Sequence, residues 1–388
     1  MDMKRDWISK KVEEMPPSGI RAFFDLVLGM KDVISLGVGE PDFVTPWQIR
    51  EAGIYSLEQG YTSYTSNKGL YRLRLEIARF LNNKHGLKYS ADDQILITVG
   101  VSEAMDLALR ALINPNDKIL IPTPSYVSYA PLVKFCGGVP VIMDTSKTDF
   151  KITPSLLERN IDKKVKAMIF NYPTNPTGVS YNKKELERLS KVLCKHNILC
   201  ISDEIYCDLT YDFEHTPFAT LPGAKDNTLY LDGFSKSYAM TGWRVGFACG
   251  PKEIIAAMTK IHQYTIMCVP IASQMAACEA LQTGRKSVEE MKREYKRRRN
   301  LMVEGLNRLG ITCSQPQGAF YIFASIKNTG MGSLEFAEKL LKDQKVAVVP
   351  GVAFGKDYND YIRISYAAGY DKLKEALNRI EKFIKKQK

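Results

Sequence analysis

Strand-like and helix-like segments alternate along this chain from about residue 50 to 285, and several of the strand-like runs end in chemically useful polar groups. Such alternation marks a parallel sheet whose strands are joined by crossover helices. Residues 94–100 read as a strand and 102–112 as a helix, so Gly100, Val101 and Ser102 form a strand-to-helix turn. Apolar runs at 118–121, 166–170, 197–202 and 228–231 read as further strands. A long amphipathic helix is predicted from Ser287 past Leu306, leading into a smaller α/β unit with strands at 319–323, 346–350 and 362–366. The expected fold class is α/β: a large domain (46–285) with a mostly parallel sheet flanked by helices, plus a smaller α/β domain from both chain ends (1–45 and 286–388). Gly37-Val-Gly39 does not open a dinucleotide fingerprint, because Asp42 takes the third glycine position and no helix pattern follows.

Ligands of open parallel sheets sit beyond the carboxyl ends of the strands. That rule gathers Asn175, Asp203, Tyr206 and Lys236 at one sheet edge, since each follows a strand-like run. Lys236 lies in Leu231-Asp-Gly-Phe-Ser-Lys-Ser-Tyr-Ala-Met-Thr-Gly-Trp-Arg-Val-Gly246, a Ser/Gly-rich turn with Arg244 eight residues on. Packing around such a lysine lowers its pKa and makes it a Schiff-base nucleophile, and a nearby arginine grips a phosphate with two parallel hydrogen bonds. Amine and phosphate clamp together suit pyridoxal 5'-phosphate. An aspartate at 203 would keep the pyridine nitrogen protonated, and Asn175 and Tyr206 would hydrogen-bond the ring's phenolate oxygen. Taken singly, Asp203-Glu204 also reads as a pair of helix N-cap carboxylates, and Ser102 as an ordinary N-cap. As a phosphate site, the 100–102 turn would offer free N–H groups and the positive end of a helix dipole.

The motif set resembles the fold-type-I, class I/II pyridoxal-phosphate-dependent aminotransferases from about residue 18 to 370. It comprises Ser35-Leu-Gly-Val-Gly-Glu-Pro-Asp-Phe43, Tyr61-Thr-Ser-Tyr-Thr-Ser-Asn-Lys-Gly69, Asn171-Tyr-Pro-Thr-Asn-Pro-Thr-Gly178, Ser202-Asp-Glu-Ile-Tyr206, the Lys236 segment and Tyr361-Ile-Arg-Ile-Ser365. The resemblance implies that Lys236 is the catalytic lysine and that Arg244, Ser235 and the 100–102 turn hold the phosphate. It implies further that Tyr126 stacks on the cofactor ring, although a tyrosine packed under the Pro-rich loop is the plainer reading. Arg363 would bind the substrate α-carboxylate, with Gly39 and Asn175 also touching substrate. Tyr64 would reach the phosphate of a partner chain, so a homodimer with shared active sites is expected. One departure stands out: related enzymes commonly carry a serine three residues before the lysine, where this chain has Gly233.

The resemblance implies amino-group transfer between an L-amino acid and a 2-oxo acid, 2-oxoglutarate by default, in ping-pong fashion. The branch it points to includes aromatic amino-acid, aspartate and N-acetyl-diaminopimelate aminotransferases. Ile20, Phe23 and Phe24 would close over an aromatic or long substrate, or serve simply as core. A pyridoxal-phosphate C–S lyase is the alternative, because it uses the same lysine and aspartate.

Composition excludes other classes. The eight cysteines are dispersed, without a Cys-x-x-Cys pair, and the four histidines do not cluster, so reduced thiols in a cytoplasmic protein are expected, with no metal site. Residues 1–8 lack an apolar stretch of signal-peptide length, and no run of about 18 apolar residues could span a membrane. The net charge of +11 concentrates at 292–299 and 382–388, in helix-like segments where a solvated charged face is expected. Without a DNA-binding motif, that charge is read as steering anionic ligands rather than nucleic acid.

Overall fold

The computed structural model describes residues 7–16 and 30–387. Its strands are β1 (Ile34–Ser35), β2 (Ile95–Thr98), β3 (Lys118–Thr123), β4 (Val139–Asp144), β5 (Val165–Asn171), β6 (Leu199–Asp203), β7 (Thr228–Gly233), β8 (Gly246–Cys249), β9 (Tyr321–Ser325), β10 (Val346–Ala347), β11 (Val349–Pro350) and β12 (Tyr361–Ser365). Seven of them form one sheet in the order β2-β8-β7-β6-β5-β3-β4. Only β8 reverses direction, pairing antiparallel with both β2 and β7. The fold is thus α/β with a mostly parallel sheet, as expected.

Parallel strands covered on both faces need nearly continuous apolar runs, and β7 supplies one: Leu229, Tyr230 and Leu231 are fully buried. Leu229 and Leu231 pack with Ala104 and Leu107 of helix Gly100–Leu112 and Met258 of helix Lys252–Thr265. Tyr230 points into a separate cluster with Leu73 and Ile77 of helix Tyr71–His85 and Ala276 of helix Ile271–Thr283. The register sets Asn171 beside Asp203 and Asp203 beside Leu231, so the polar ends of β5, β6 and β7 lie in one row.

A second assembly uses the antiparallel sheet β11-β12-β9 and the short parallel pair β1 and β10. Its core joins Tyr295, Met302 and Leu306 of helix Arg285–Arg308 to Phe336 of helix Ser333–Gln344 and Leu373 and Ile380 of helix Tyr370–Gln387. The basic run at 292–299 departs from the solvated face expected of it. Arg298 and Arg299 are buried, Arg298 giving hydrogen bonds to Asp42 and Glu294 and Arg299 to Asp212. At the carboxyl end, Lys382, Lys385 and Lys386 do face solvent.

Candidate active site

β7 delivers Lys236 into a cavity of about 550 Å³ that opens beyond the carboxyl ends of β5, β6 and β7. The Lys236 amine donates to the Gly39 carbonyl at 2.7 Å and lies 5.9 Å from the Phe320 ring centre. Burial lowers its pKa to about 8; Glu40 and Asp203 oppose the shift, and Arg244 and Arg363 add to it. At that pKa roughly a tenth to a fifth of the amine is neutral near physiological pH, far more than for an ordinary lysine, and the neutral amine is the form that attacks carbonyls.

One wall of the cavity is the start of helix Gly100–Leu112, whose first N–H groups have no acceptor within the helix. Gly100 has φ 71°, and a β-carbon there would meet Arg244 Nη2 at 2.9 Å. Arg244 itself holds φ 52°, unusual for a side chain this large. Its guanidinium donates to Thr241 O at 3.2 Å and Val99 O at 3.4 Å, and among the described residues no carboxylate forms an ion pair with it. Two further glycines allow this close approach. A β-carbon at 246 would sit 2.9 Å from the Val101 nitrogen, and one at 233 would sit 3.0 Å from the Gly246 α-carbon. A serine side chain at 233 would therefore be crowded in this chain. Ser235, buried, and Ser102, exposed, both line the cavity.

Asp203 ends β6 with both carboxylate oxygens engaged. Tyr129 Oη donates to Oδ2 at 2.6 Å, and the Ile205 N–H to Oδ1 at 3.3 Å. Burial raises its pKa to about 6, against the Tyr129 hydrogen bond, which favours the ionised form. Neither acid of Asp203-Glu204 caps an α-helix: Glu204 is buried and accepts from Ser202 Oγ at 2.7 Å and the Phe218 N–H at 3.0 Å, tying down the loop that follows. Asn171 Nδ2 donates to the Asp203 carbonyl at 2.9 Å, and its Oδ1 accepts the Asn175 N–H at 2.9 Å.

Opposite Lys236 lies Arg363, on β12 and 3% exposed. Nη1 donates to Asn175 Oδ1 at 3.0 Å and Nη2 to the Gly37 carbonyl, while Nε has no partner. The guanidinium lies 4.6 Å from the Tyr321 ring centre and 5.2 Å from that of Phe354. Among the described residues no carboxylate pairs with it. A buried cation without a counter-ion is costly, and an anion entering the cavity would relieve that cost. Tyr206 and Tyr321 share a hydroxyl–hydroxyl bond of 2.9 Å beside it.

The family model for aminotransferase class I and II matches residues 31–380. YugH of Bacillus subtilis (strain 168), whose name calls it an aminotransferase, is 52% identical, with 98% of this chain and 99% of that one covered. An aspartate aminotransferase of Pyrococcus abyssi is 44% identical at 98% and 99% coverage. The crystal structure of an aromatic aminotransferase from Pyrococcus horikoshii OT3 superposes with a TM-score of 0.89 at 42% identity, covering 95% and 99% of the two chains. The chain belongs to the class I and II aminotransferases. It is a pyridoxal-phosphate enzyme that transfers amino groups, and the C–S lyase alternative is not favoured.

The residues of this aminotransferase fit its cofactor. The volume is in the range of small-molecule sites, roughly 300–1,000 Å³, with a cation and open amides at one end, a held carboxylate at the floor and an accessible amine between. Gly39, Val101, Ser102, Tyr126, Asn175, Asp203, Tyr206, Ser235, Lys236, Arg244 and Arg363 all line it. Gly100 lies just behind, under the Arg244 guanidinium. Tyr126 is 39% exposed and meets Tyr129 edge to face at 5.6 Å. Tyr64 does not join the cavity and is 81% exposed. Ile20, Phe23 and Phe24 lie outside the described residues. Sequence reasoning assigned no role to Tyr129, Asn171 or Tyr321. Asn171 stood inside a quoted motif, Tyr129 lay three residues after Tyr126 without a signal of its own, and Tyr321 was absorbed into an apolar strand.

Proposed function

We propose that the cavity around Lys236 moves an amino group between an L-amino acid and a 2-oxo acid in two alternating half-reactions. The observation that carries this reading is the convergence of Lys236, Asp203, Arg244 and Arg363 on one cavity. Pyridoxal phosphate, when bound, supplies an aldehyde for amines and a ring that withdraws electrons from the substrate's α-carbon. Arg244, Ser235 and the 100–102 amides hold its phosphate. Tyr126 stacks on its ring, with Asn175 and Tyr206 at the phenolate oxygen. Asp203, oriented through both oxygens, pairs with the ring nitrogen. Arg363 takes the substrate carboxylate in a two-pronged grip, which aims the α-carbon at Lys236, with Gly39 and Asn175 as further contacts. Lys236 Nζ takes the α-proton and returns it, a general acid–base role suited to its lowered pKa. A Lys236→Ala protein is expected to lose transamination by several orders of magnitude; a normal rate would refute the assignment.

Lys236, Arg244 and Arg363 are the only lysine or arginine side chains among the described residues lining the cavity, and each already has a role. That supports an aromatic substrate over a dicarboxylate donor, and an N-acetyl-diaminopimelate-like substrate, which carries a second carboxylate, is the weaker form of the long-substrate reading. 2-Oxoglutarate is the proposed amino acceptor on the family resemblance, not on this count of cations, since its second carboxylate would have to be met by neutral donors or by a partner chain. The exposed Tyr64 sits in a loop tied to Met267 by an Asn67 Nδ2 bond of 2.9 Å, and Tyr61, Tyr264 and Ile266 are also exposed. Exposed apolar surface of this kind marks interaction sites, which supports a homodimer with Tyr64 reaching the partner's phosphate. Mixing Lys236→Ala with Tyr64→Ala chains is then expected to restore part of the activity that each lacks alone; additive residual rates would remove the shared site. The same reading takes 46–285 as the cofactor-binding domain and 1–45 with 286–388 as the small domain, supported by the pairing of β1 with β10. No helix among the described residues is long and apolar enough to cross a membrane, and the cysteines are unpaired, which supports a cytoplasmic enzyme.

A further inference from the structure

Glu103 stands in the first turn of the helix whose N-terminus faces the cavity. A carboxylate so close to a phosphate dianion would repel it unless its charge were turned away and compensated. Here both oxygens are occupied. Oε2 accepts the Val99 N–H, and Oε1 lies 2.7 Å from Nδ1 of His262, a fully buried residue of helix Lys252–Thr265. A carboxylate is an acceptor only, so Nδ1 carries the hydrogen. The Val99 carbonyl, in the next peptide unit, accepts from Arg244 Nη2 at 3.4 Å. Thr98 Oγ1 also donates to the Gly100 carbonyl at 3.0 Å.

We infer that His262 and Glu103 are positioning residues for the phosphate cradle. They fix the Val99 N–H from behind, and through the Val99 backbone they hold the 100–102 amides and the Arg244 guanidinium in mutual register before the cofactor arrives. His262 touches neither cofactor nor substrate. It acts through Glu103 and Val99, and it holds the Glu103 carboxylate toward helix 252–265. The ordinary alternative is a buried pair that only joins helix 252–265 to helix 100–112.

The inference rests on the phosphate assignment above, and the test separates the two. Cofactor-free protein is titrated with pyridoxal phosphate, with inorganic phosphate and with pyridoxal, which lacks the phosphate. Replacing His262 by Leu (His262→Leu) is expected to weaken the first two by roughly tenfold, the size of one lost charge-assisted hydrogen bond, and pyridoxal by less than about twofold. His262→Asn, whose amide places a donor near the Nδ1 position, restores wild-type binding. Equal losses for pyridoxal and pyridoxal phosphate, or no loss for either, would overturn the positioning role. Should His262→Leu fail to fold, His262→Phe, a ring of similar shape without a donor, carries the same expectation and the same refutation. An Arg244→Leu control reports on the parent reading: if it binds inorganic phosphate as wild type does, the phosphate assignment itself fails.

Discussion

Arg299 and Arg363 are both buried arginines, 1% and 3% exposed, yet their surroundings are opposite. Arg299 meets Asp212 at 2.6 Å and the Pro316 carbonyl at 2.9 Å, and lies 5.0 Å from the Tyr211 ring centre. Its charge is compensated within the chain. Arg363 has two neutral oxygens, two aromatic faces and an Nε without a partner. A buried guanidinium left in that condition costs stability that the fold recovers when an anion arrives. Burial alone does not distinguish a structural arginine from a functional one; the absence of an internal counter-ion does.

The contrast breaks most sharply on substitution. Arg363→Leu is expected to lower kcat/KM by on the order of 10²- to 10⁴-fold, the equivalent of about 3–5 kcal/mol for a buried carboxylate partner, while thermal unfolding shows no loss of stability. A variant with near-normal kcat/KM would place the carboxylate elsewhere. Arg299→Met should do the reverse. It is expected to cost about 1–3 kcal/mol of stability, less than a fully buried pair because Asp212 is half-exposed, with kcat/KM per folded molecule unchanged. Chemical denaturation with a parallel assay checks both halves. Lys236 sharpens the same lesson on a smaller scale, since Arg363 and Arg244 help to hold its pKa down to about 8. Only the neutral amine attacks, so uptake of pyridoxal phosphate by cofactor-free protein should rise about tenfold per pH unit and level off above about 8. A rise continuing towards the ordinary lysine value would show that burial does not lower it.

Lys236, Asp203 and Asn175 were legible in sequence because each follows an apolar run that ends at the same sheet edge. Arg363 was legible only through its motif, since nothing in a β-strand pattern separates it from a solvent-facing arginine. β8 escaped because four residues following a Gly-Trp-Arg turn carry no periodicity, and its reversed direction is a property of its neighbours. Arg298 and Arg299 were misjudged as solvated for a related reason. Their partners Asp42 and Asp212 lie 256 and 87 positions away, beyond any local pattern. Tyr129 and Tyr321 gain their roles from single hydroxyl contacts, to Asp203 and Tyr206, that only the folded sheet brings together.

The central claim is tested most directly by the absorption spectrum of the cofactor-loaded enzyme mixed with single L-amino acids, without any oxo acid. The account predicts a stoichiometric spectral change with release of the matching 2-oxo acid, reversed by 2-oxoglutarate and largest for aromatic or long side chains. An unchanged spectrum, or continuous production of pyruvate and ammonia without an acceptor, would contradict it.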